Sequence, residues 1–225
     1  MMSSAIPRRP EPEVMDIVAE AKAYAETDFS EVNQRFVERL LELAPREEAE
    51  ALDLGTGPGD IPVRVVRARP RWRVTAVDAS GAMLEFARRL VRRAGMEAGI
   101  ELVQADAKRT GLAAGAFGVI FSNSILHHIS DAAALWAEVK RLARRGAVVL
   151  FSDLARPASE EAAREIVKKY AGDATELLRE EYYRSLLAAY TVEEVGAQIE
   201  QAGLGALKVE MVSDRHLDVF GRISL

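Results

Sequence analysis

The sequence predicts a doubly wound α/β fold, a mostly parallel sheet with helices on both faces. Short apolar runs alternate with amphipathic segments of helical periodicity between residues 51 and 151. Strands separated by helices must run parallel, so each crossover is expected to be right-handed and to cover one face of the sheet. A glycine-rich stretch, GTGPG at residues 55–59, directly follows the first apolar run. Together these patterns predict a Rossmann-like domain.

Seven strands are expected, because apolar runs of strand length are bounded by turn residues. They are Ala51–Leu54, Val74–Val77, Ile100–Val103, Phe117–Phe121 and Ala147–Phe151, with two more near Ala206–Val212 and Leu217–Ile223. Helical periodicity predicts the helices between them. These are Val14–Glu26, Val32–Ala44, Pro58–Ala68, Ser80–Ala94, Asp131–Ala143 and Val192–Ala202, with Ser30 as an N-cap and Pro45 as a stop before the sheet. Residues 154–190 break the alternation and predict a helical insertion after the fifth strand.

The whole chain, residues 1–225, is expected to form one domain with four parts. They are N-terminal helices at 1–45, a ligand-binding core at 46–153, the helical insertion at 154–190, and a final helix with the terminal strands at 191–225.

Composition excludes several classes of function. The net charge of -5 gives no general attraction to nucleic acid, so no nucleic-acid partner is expected. The chain has no cysteine, which excludes disulfides, thiolate metal sites and cysteine nucleophiles. No apolar run is long enough for a membrane helix and no signal peptide is recognised, so a cytoplasmic location is predicted.

The glycine-rich turn predicts a binding site for a nucleoside. In an open parallel sheet, ligands bind beyond the carboxyl ends of the strands, where the first strand turns into a helix. Gly55, Gly57 and Gly59 permit a positive φ and close approach of the backbone there. Asp78 ends the second strand about 20 residues further on, where a carboxylate can accept hydrogen bonds from ribose hydroxyls.

Nicotinamide dinucleotides and S-adenosylmethionine both fit this description, and the spacing favours the second. The dinucleotide pattern is G-x-G-x-x-G/A, whereas this chain has G-x-G-x-G followed by Asp60. Asp60 is expected to repel a diphosphate, while Asp53 on the first strand suits a ligand that carries an ammonium group. An amino acid joined to a nucleoside fits better than a dinucleotide.

At this point the sequence resembles the class I S-adenosylmethionine-dependent methyltransferases, in particular the small-molecule type that includes the ubiquinone and menaquinone biosynthesis enzymes. Five segments carry the resemblance, in order and at similar spacing over residues 51–157. They are LDLGTGPGD, AVDAS, VQADAK, FGVIFSNSILHHISD and RRGAVVLFSDLARP.

The resemblance implies S-adenosylmethionine as cofactor and a role for each matching residue. The glycine loop would face the methionine part, Asp78 the ribose, and Asp106 with the Ala107 N–H the adenine. Asn123 would lie near the reacting methyl, although it could instead tie neighbouring loops together. The predicted cofactor-binding residues are Asp53, Gly55, Thr56, Gly57, Gly59, Asp78, Ala79, Asp106, Ala107 and Asn123.

His127 is the candidate general base, with Asn123 the second catalytic candidate. Methyl transfer needs in-line approach and exclusion of water, and needs a base only if the acceptor carries a proton. Adjacent residues of a helix point about 100° apart, so His127 and His128 are not expected to face one site. Alternatively, the pair caps the helix that begins near Asp131 or packs against the insertion.

A small-molecule acceptor is expected, and no metal. Within the family, amino acceptors of nucleobases and glutamine use an N/D-P-P-Y/F run, which is absent here. Residues 1–45 and 154–190 lie where the family places substrate lids, and they contain the candidate substrate residues Tyr24, Tyr183 and Arg156. O-, N- and C-methylation and the oligomeric state stay open. The alternatives are a non-catalytic S-adenosylmethionine-binding module and a nicotinamide-dependent oxidoreductase.

Overall fold

A computed structural model describes residues 6–14 and 29–224, and within them a seven-stranded sheet. The strand order is β3-β2-β1-β4-β5-β7-β6. The strands are β1 Glu50–Leu54, β2 Arg73–Asp78, β3 Ile100–Gln104, β4 Phe117–Asn123, β5 Ala143–Leu154, β6 Lys208–Met211 and β7 His216–Arg222. Strands β1 to β5 are parallel, and β7 runs antiparallel between β5 and β6. The predicted doubly wound, mostly parallel fold is confirmed.

Helices connect the strands and cover both faces of the sheet. They are α1 Ser30–Leu43, α2 Asp60–Ala68, α3 Gly81–Ala94, α4 Ala132–Leu142, α5 Glu160–Ala171, α6 Glu176–Ala188 and α7 Val192–Gln201, with a short 3-10 turn at Leu126–His128. Their starts follow ordinary capping chemistry. The Ser80 side chain accepts from Met83 N, and Thr191 with Glu194 forms a capping box on α7.

Two apolar clusters lie on opposite faces of the sheet. Alternate residues of β4 face each way, because successive side chains of a strand point to opposite faces. Ile120 packs into the cluster around Trp136, and Phe121 packs into the cluster around Trp72. All four side chains are fully buried. This double-sided core fixes the carboxyl ends of β1, β2, β4 and β5 along one edge of the sheet.

Most predicted elements are found within a few residues of their expected bounds, and three differ. Strand β5 begins at Ala143 rather than Ala147, because the polar residues RRG continue the strand beyond its apolar run. The prediction that Ser30 is an N-cap is wrong, since Ser30 is the first residue of α1 and Phe29 occupies the cap position. The predicted helix Val14–Glu26 lies almost entirely outside the described residues.

The insertion consists of α5 and α6, which pack against each other through a small apolar cluster of their own. Residues 6–14, here named the N-terminal segment, lie between this insertion and the 3-10 turn. Within the described part of the chain, every helix is too short or too polar to cross a lipid bilayer.

Candidate functional site at the carboxyl edge of the sheet

The glycine loop between β1 and α2 has the backbone that its sequence predicts. Gly55, Gly57 and Gly59 have φ values of 75°, 54° and 85°. A Cβ at Gly55 would lie 2.7 Å from Cδ1 of Ile125, and one at Gly59 would lie 3.0 Å from Cβ of Ala87. At Gly57 nothing lies within 4 Å. Two glycines are therefore required by packing, whereas Gly57 faces open space at the switch point of the sheet.

Beside this open space lie two buried polar atoms without partners. Oδ2 of Asp53 and Oγ1 of Thr56 make no hydrogen bond within the described residues. Burial raises the pKa of the Asp53 carboxyl to about 7; the neighbouring Thr56 hydroxyl opposes this shift, and the negative charge of Asp78 adds to it. A buried polar group without a partner is costly. These two oxygen atoms can accept hydrogen bonds from a cationic group or another donor of a ligand.

Asp78 ends β2 and faces the glycine loop. Its Oδ2 accepts from Gly57 N at 2.7 Å and its Oδ1 from Ser80 N at 2.8 Å. Burial raises the pKa of this carboxyl, although the backbone N–H groups of Ser80, Gly57 and Ala79 oppose the shift. Asp78 therefore has a structural function in the loop, and its role toward ribose stays a prediction.

Asp106 and Ala107 follow β3 at the same edge. Oδ1 of Asp106 accepts from Lys108 N at 2.8 Å and lies 3.1 Å from Lys108 Nζ. Both contacts use one oxygen, and the side chain is half exposed. Ala107 is buried. The carboxylate thus caps a turn, and its predicted contact with adenine is not tested by this geometry.

Asn123 at the end of β4 belongs to a polar network that reaches α1 and α2. Its Nδ2 donates to Asn33 Oδ1 at 3.3 Å, and Asn33 Nδ2 donates to Asp60 Oδ2 at 2.8 Å. Arg64 forms an ion pair with the same Asp60 oxygen at 2.6 Å. The charge of Asp60 is therefore balanced by Arg64. This ion pair weakens the repulsion that Asp60 is expected to exert on a diphosphate.

His127 lies in the 3-10 turn after β4 and is almost fully buried. Its Nδ1 lies 2.5 Å from Oδ1 of Asp153 on β5, and Oδ2 of Asp153 accepts from Leu126 N. Burial opposes the imidazolium, but the charges of Asp153 and Glu11 outweigh that effect and raise the pKa of His127. Asp153 therefore fixes the orientation of the ring.

Glu11 of the N-terminal segment covers both histidines. Its Oε1 lies 3.6 Å from His127 Nε2 and 3.2 Å from His128 Nδ1. The two rings are 4.2 Å apart between centroids. The expectation that they face different sites is wrong, because one carboxylate, that of Glu11, lies against a ring nitrogen of each histidine. Burial lowers the pKa of His128 to about 3, as does the charge of His127.

Arg8 and Glu13 fasten the N-terminal segment across the edge of the sheet. Arg8 donates to the carbonyl oxygens of Ala188, His127 and Ile129, and stacks on the Tyr190 ring with Cζ 3.9 Å from the centroid. Glu13 accepts from Ser130 N and from Lys108 Nζ, at 2.8 and 2.7 Å. The segment thus joins the insertion, the 3-10 turn and the loop after β3.

Of the candidate substrate residues, the structure describes Arg156 and Tyr183, which make separate contacts. Arg156 is buried, and it donates to the carbonyl of Ala189 and pairs with Glu194. Its guanidinium therefore joins β5 to α6 and α7, which is not the steering position that was expected. Tyr183 donates to Glu160 Oε2 at 2.9 Å within the insertion. Tyr24 lies outside the described residues.

Sequence reasoning missed Glu11, Asn33 and the pairing of Asp153 with His127. Asp153 directly follows the apolar run of β5, next to β4 in the sheet, so the strand order could have placed it beside His127. Glu11 and Asn33 come from segments before the sheet, and no spacing in the sequence brings them to this edge.

Residues 52–151 match the family described as "Methyltransferase domain". The chain is 33% identical over 126 residues to a malonyl-[acyl-carrier protein] O-methyltransferase of Legionella pneumophila, covering 55% of this chain and 42% of that protein. It is 36% identical over 109 residues to a ubiquinone/menaquinone biosynthesis C-methyltransferase of Desulfotalea psychrophila, covering 48% and 43%. The matched region thus spans less than half the length of these relatives.

A crystal structure of an S-adenosylmethionine-dependent methyltransferase from Aquifex aeolicus shares the fold. The TM-score is 0.70 at 20% identity, over 92% of this chain and 98% of that one. Residues 52–151 therefore resemble a methyltransferase domain, and the described chain has the fold of the Aquifex aeolicus enzyme. The resemblance read from the sequence is confirmed over residues 52–151.

The cofactor of this class is S-adenosylmethionine, and the residues present fit it. The amino-acid end of S-adenosylmethionine carries an ammonium group. The unpartnered Oδ2 of Asp53 can accept a hydrogen bond from it. The open space at Gly57 allows the backbone approach that such a ligand needs.

Proposed function

We propose that this protein transfers a methyl group from S-adenosylmethionine to a small-molecule acceptor. The observation that carries the proposal is the unpartnered, buried carboxylate of Asp53 beside a glycine loop that is open at Gly57. The methyltransferase match over residues 52–151 decides between ligands of similar shape. The cofactor supplies a methyl group already activated on a sulfonium.

The chain's own residues would bind and orient the cofactor and the acceptor, and would exclude water. Asp53 and the loop would hold the amino-acid end, Asp78 the ribose, and Asp106 with Ala107 the base. The N-terminal region 1–45 and the insertion 154–190 would act as lids over the core at 46–153. Positioning is the dominant contribution, because a well-oriented pair of reactants needs no further activation at carbon.

His127 is our candidate for the residue that takes a proton from the acceptor. Asp153 binds Nδ1 and fixes the ring, as an orienting carboxylate does in other histidine bases, so Nε2 is the atom that would take the proton once the ring is neutral. Glu11 lies against Nε2, so acceptor entry would require the N-terminal segment to move away. Asn123 would orient the acceptor or the methionine part.

Replacement of His127 by alanine tests this role. We expect turnover to fall by about 10²- to 10⁴-fold, which is the usual contribution of a general base, with unchanged affinity for S-adenosylhomocysteine. His216→Ala is the matched control, because the His216 ring lies near Asp153 and His127 but bonds to Ser213 and makes no hydrogen bond to either of them. The two relatives are named for O- and C-methylation, so the acceptor panel should contain carboxylic acids and quinone precursors. Turnover at the wild-type rate in His127→Ala would reduce His127 to a structural residue.

A non-catalytic S-adenosylmethionine-binding module is the second candidate. The coverage of His127 by Glu11 favours it, since a binding module needs no acceptor site. Cofactor binding without methyl transfer to any member of the panel, in the full chain and in Glu11→Ala, would support this alternative. The cytoplasmic location and the absence of a nucleic-acid partner stay predictions.

A further inference from the structure

We propose that Glu11, His127 and His128 form a binding site for Zn²⁺. Each of the three side chains offers one ligand atom, and all three atoms lie within 4.8 Å of one another. They are Glu11 Oε1, His127 Nε2 and His128 Nδ1. The set of two imidazoles and one carboxylate is typical of zinc sites that leave a fourth position to solvent.

The distances fit a tetrahedral ion. Ligand atoms about 2.0–2.1 Å from a tetrahedral metal lie about 3.3 Å from one another. Glu11 Oε1 lies 3.6 Å from His127 Nε2 and 3.2 Å from His128 Nδ1. The two ring nitrogens lie within 4.8 Å of each other, so binding of an ion would draw the three side chains together.

Hydrogen bonds on the far side of each ring aim a lone pair at the same point. Asp153 holds Nδ1 of His127, so the proton lies there and Nε2 is the acceptor. The His128 ring bonds to the backbone of Pro12, while its Nδ1 makes no hydrogen bond within the described residues. The bond to Pro12 therefore uses Nε2, and the lone pair of Nδ1 faces Glu11.

The carboxylates of Asp153 and Glu11 lie on either side of the His127 ring and favour a cation there, whether a proton on Nε2 or a metal ion in its place. A cation resolves this arrangement, and the Asp153–His127 pair supplies the orienting carboxylate that metal-binding histidines ordinarily have. An ion here would also tie the N-terminal segment to the 3-10 turn. If His127 is the base, as in the proposed function, bound zinc would occupy its Nε2 and inhibit methyl transfer.

Metal binding is measured directly, without cofactor or acceptor. Untagged, chelator-treated protein is titrated with Zn²⁺ by calorimetry, and with Co²⁺ to detect the visible absorption of a tetrahedral ion. We expect one equivalent to bind, with affinity at least about tenfold lower in Glu11→Gln and in His128→Asn. The control His216→Asn removes the third histidine of the chain and should bind as the wild type does.

Circular dichroism and S-adenosylhomocysteine binding show that each variant is folded. Absence of zinc binding, or equal binding by wild type, Glu11→Gln and His128→Asn, would overturn the site. That result would leave the methyltransferase proposal intact. Conversely, zinc binding by a protein without transfer activity would support the site while the proposed function fails.

Discussion

At the scale of single residues, the glycine loop separates packing from ligand binding. Gly55 and Gly59 have neighbours that a side chain would strike, but Gly57 has none within 4 Å. Packing therefore does not explain the glycine at position 57. We attribute it to its positive φ and to the close approach of a ligand. The spacing of the three glycines after an apolar strand predicted a ligand-binding loop. Only the structure distinguishes the function of each glycine.

Gly57→Ala therefore tests whether a ligand occupies this open space. The substitution places a side chain at a φ of 54°, which costs about 1–2 kcal/mol of stability. Gly111→Ala is a matched control, because Gly111 has a φ of 73° and also has nothing within 4 Å. We expect similar losses of thermal stability in both variants. Only Gly57→Ala should weaken binding of S-adenosylhomocysteine, and equal affinity in the two variants would contradict the placement.

Asp53 predicts a pH dependence of cofactor affinity. Its pKa of about 7 means that the carboxyl must lose a proton before it can pair with an ammonium group. The affinity for S-adenosylhomocysteine should therefore fall as pH decreases below 7, by about tenfold for each pH unit once well below it. Methylthioadenosine lacks the amino-acid end and serves as a control ligand with no such dependence. Calorimetry from pH 5.5 to 7.5 measures both, and identical profiles would refute the contact.

The same residue predicts a pH dependence of stability without ligand. The native pKa of about 7 lies above the ordinary value of 3.8, so the native state holds this proton more tightly than the unfolded state does. The contribution to the free energy of unfolding is complete below about pH 4 and is lost as pH rises to about 7. Asp53→Asn should remove this dependence and be more stable than the wild type at pH 8. Urea denaturation at pH 5 and pH 8 measures the difference.

At the scale of elements, the N-terminal segment covers His127 and His128 through Glu11. It has no regular secondary structure and is held by a few charged groups, chiefly Arg8 and Glu13. No sequence pattern predicts where such a segment lies, because single polar side chains hold it through carbonyl, N–H and charged partners, and it has no periodic apolar face. The strands and helices of the core were predictable, since their periodicity repeats over several turns or pleats.

Arg8→Ala tests how the segment is held. It removes three hydrogen bonds from a charged group, each contributing about 1.5–3 kcal/mol, and the stacking on Tyr190. We expect hydrogen exchange in residues 6–14 to become about tenfold faster or more, including at Arg9 N, which donates to Leu187 O. Arg71→Ala is the control, because Arg71 makes only exposed pairs with Glu47 and Glu48. Unchanged exchange in Arg8→Ala would show that other contacts hold the segment.

At the scale of the whole molecule, topology explains why one edge of the sheet collects the site. β1 pairs with β2 on one side and β4 on the other, so the order in which successive strands extend the sheet reverses at β1. Asp53, Asp78, Asn123 and Asp153 all lie at or near the carboxyl ends of adjacent or nearly adjacent strands. The alternation of strands and helices predicted this arrangement. The alternation did not predict how the insertion packs. The position of Arg156 was not predictable either, because its ion pair with Glu194 depends on that packing.

Calorimetric titration of the purified chain with S-adenosylhomocysteine and, separately, with NAD tests the central claim most directly. The account predicts one binding site for S-adenosylhomocysteine, weakened in Gly57→Ala and at low pH, and no heat of binding with NAD. Binding of NAD in its place, or no binding of either compound near pH 7.5, would contradict it.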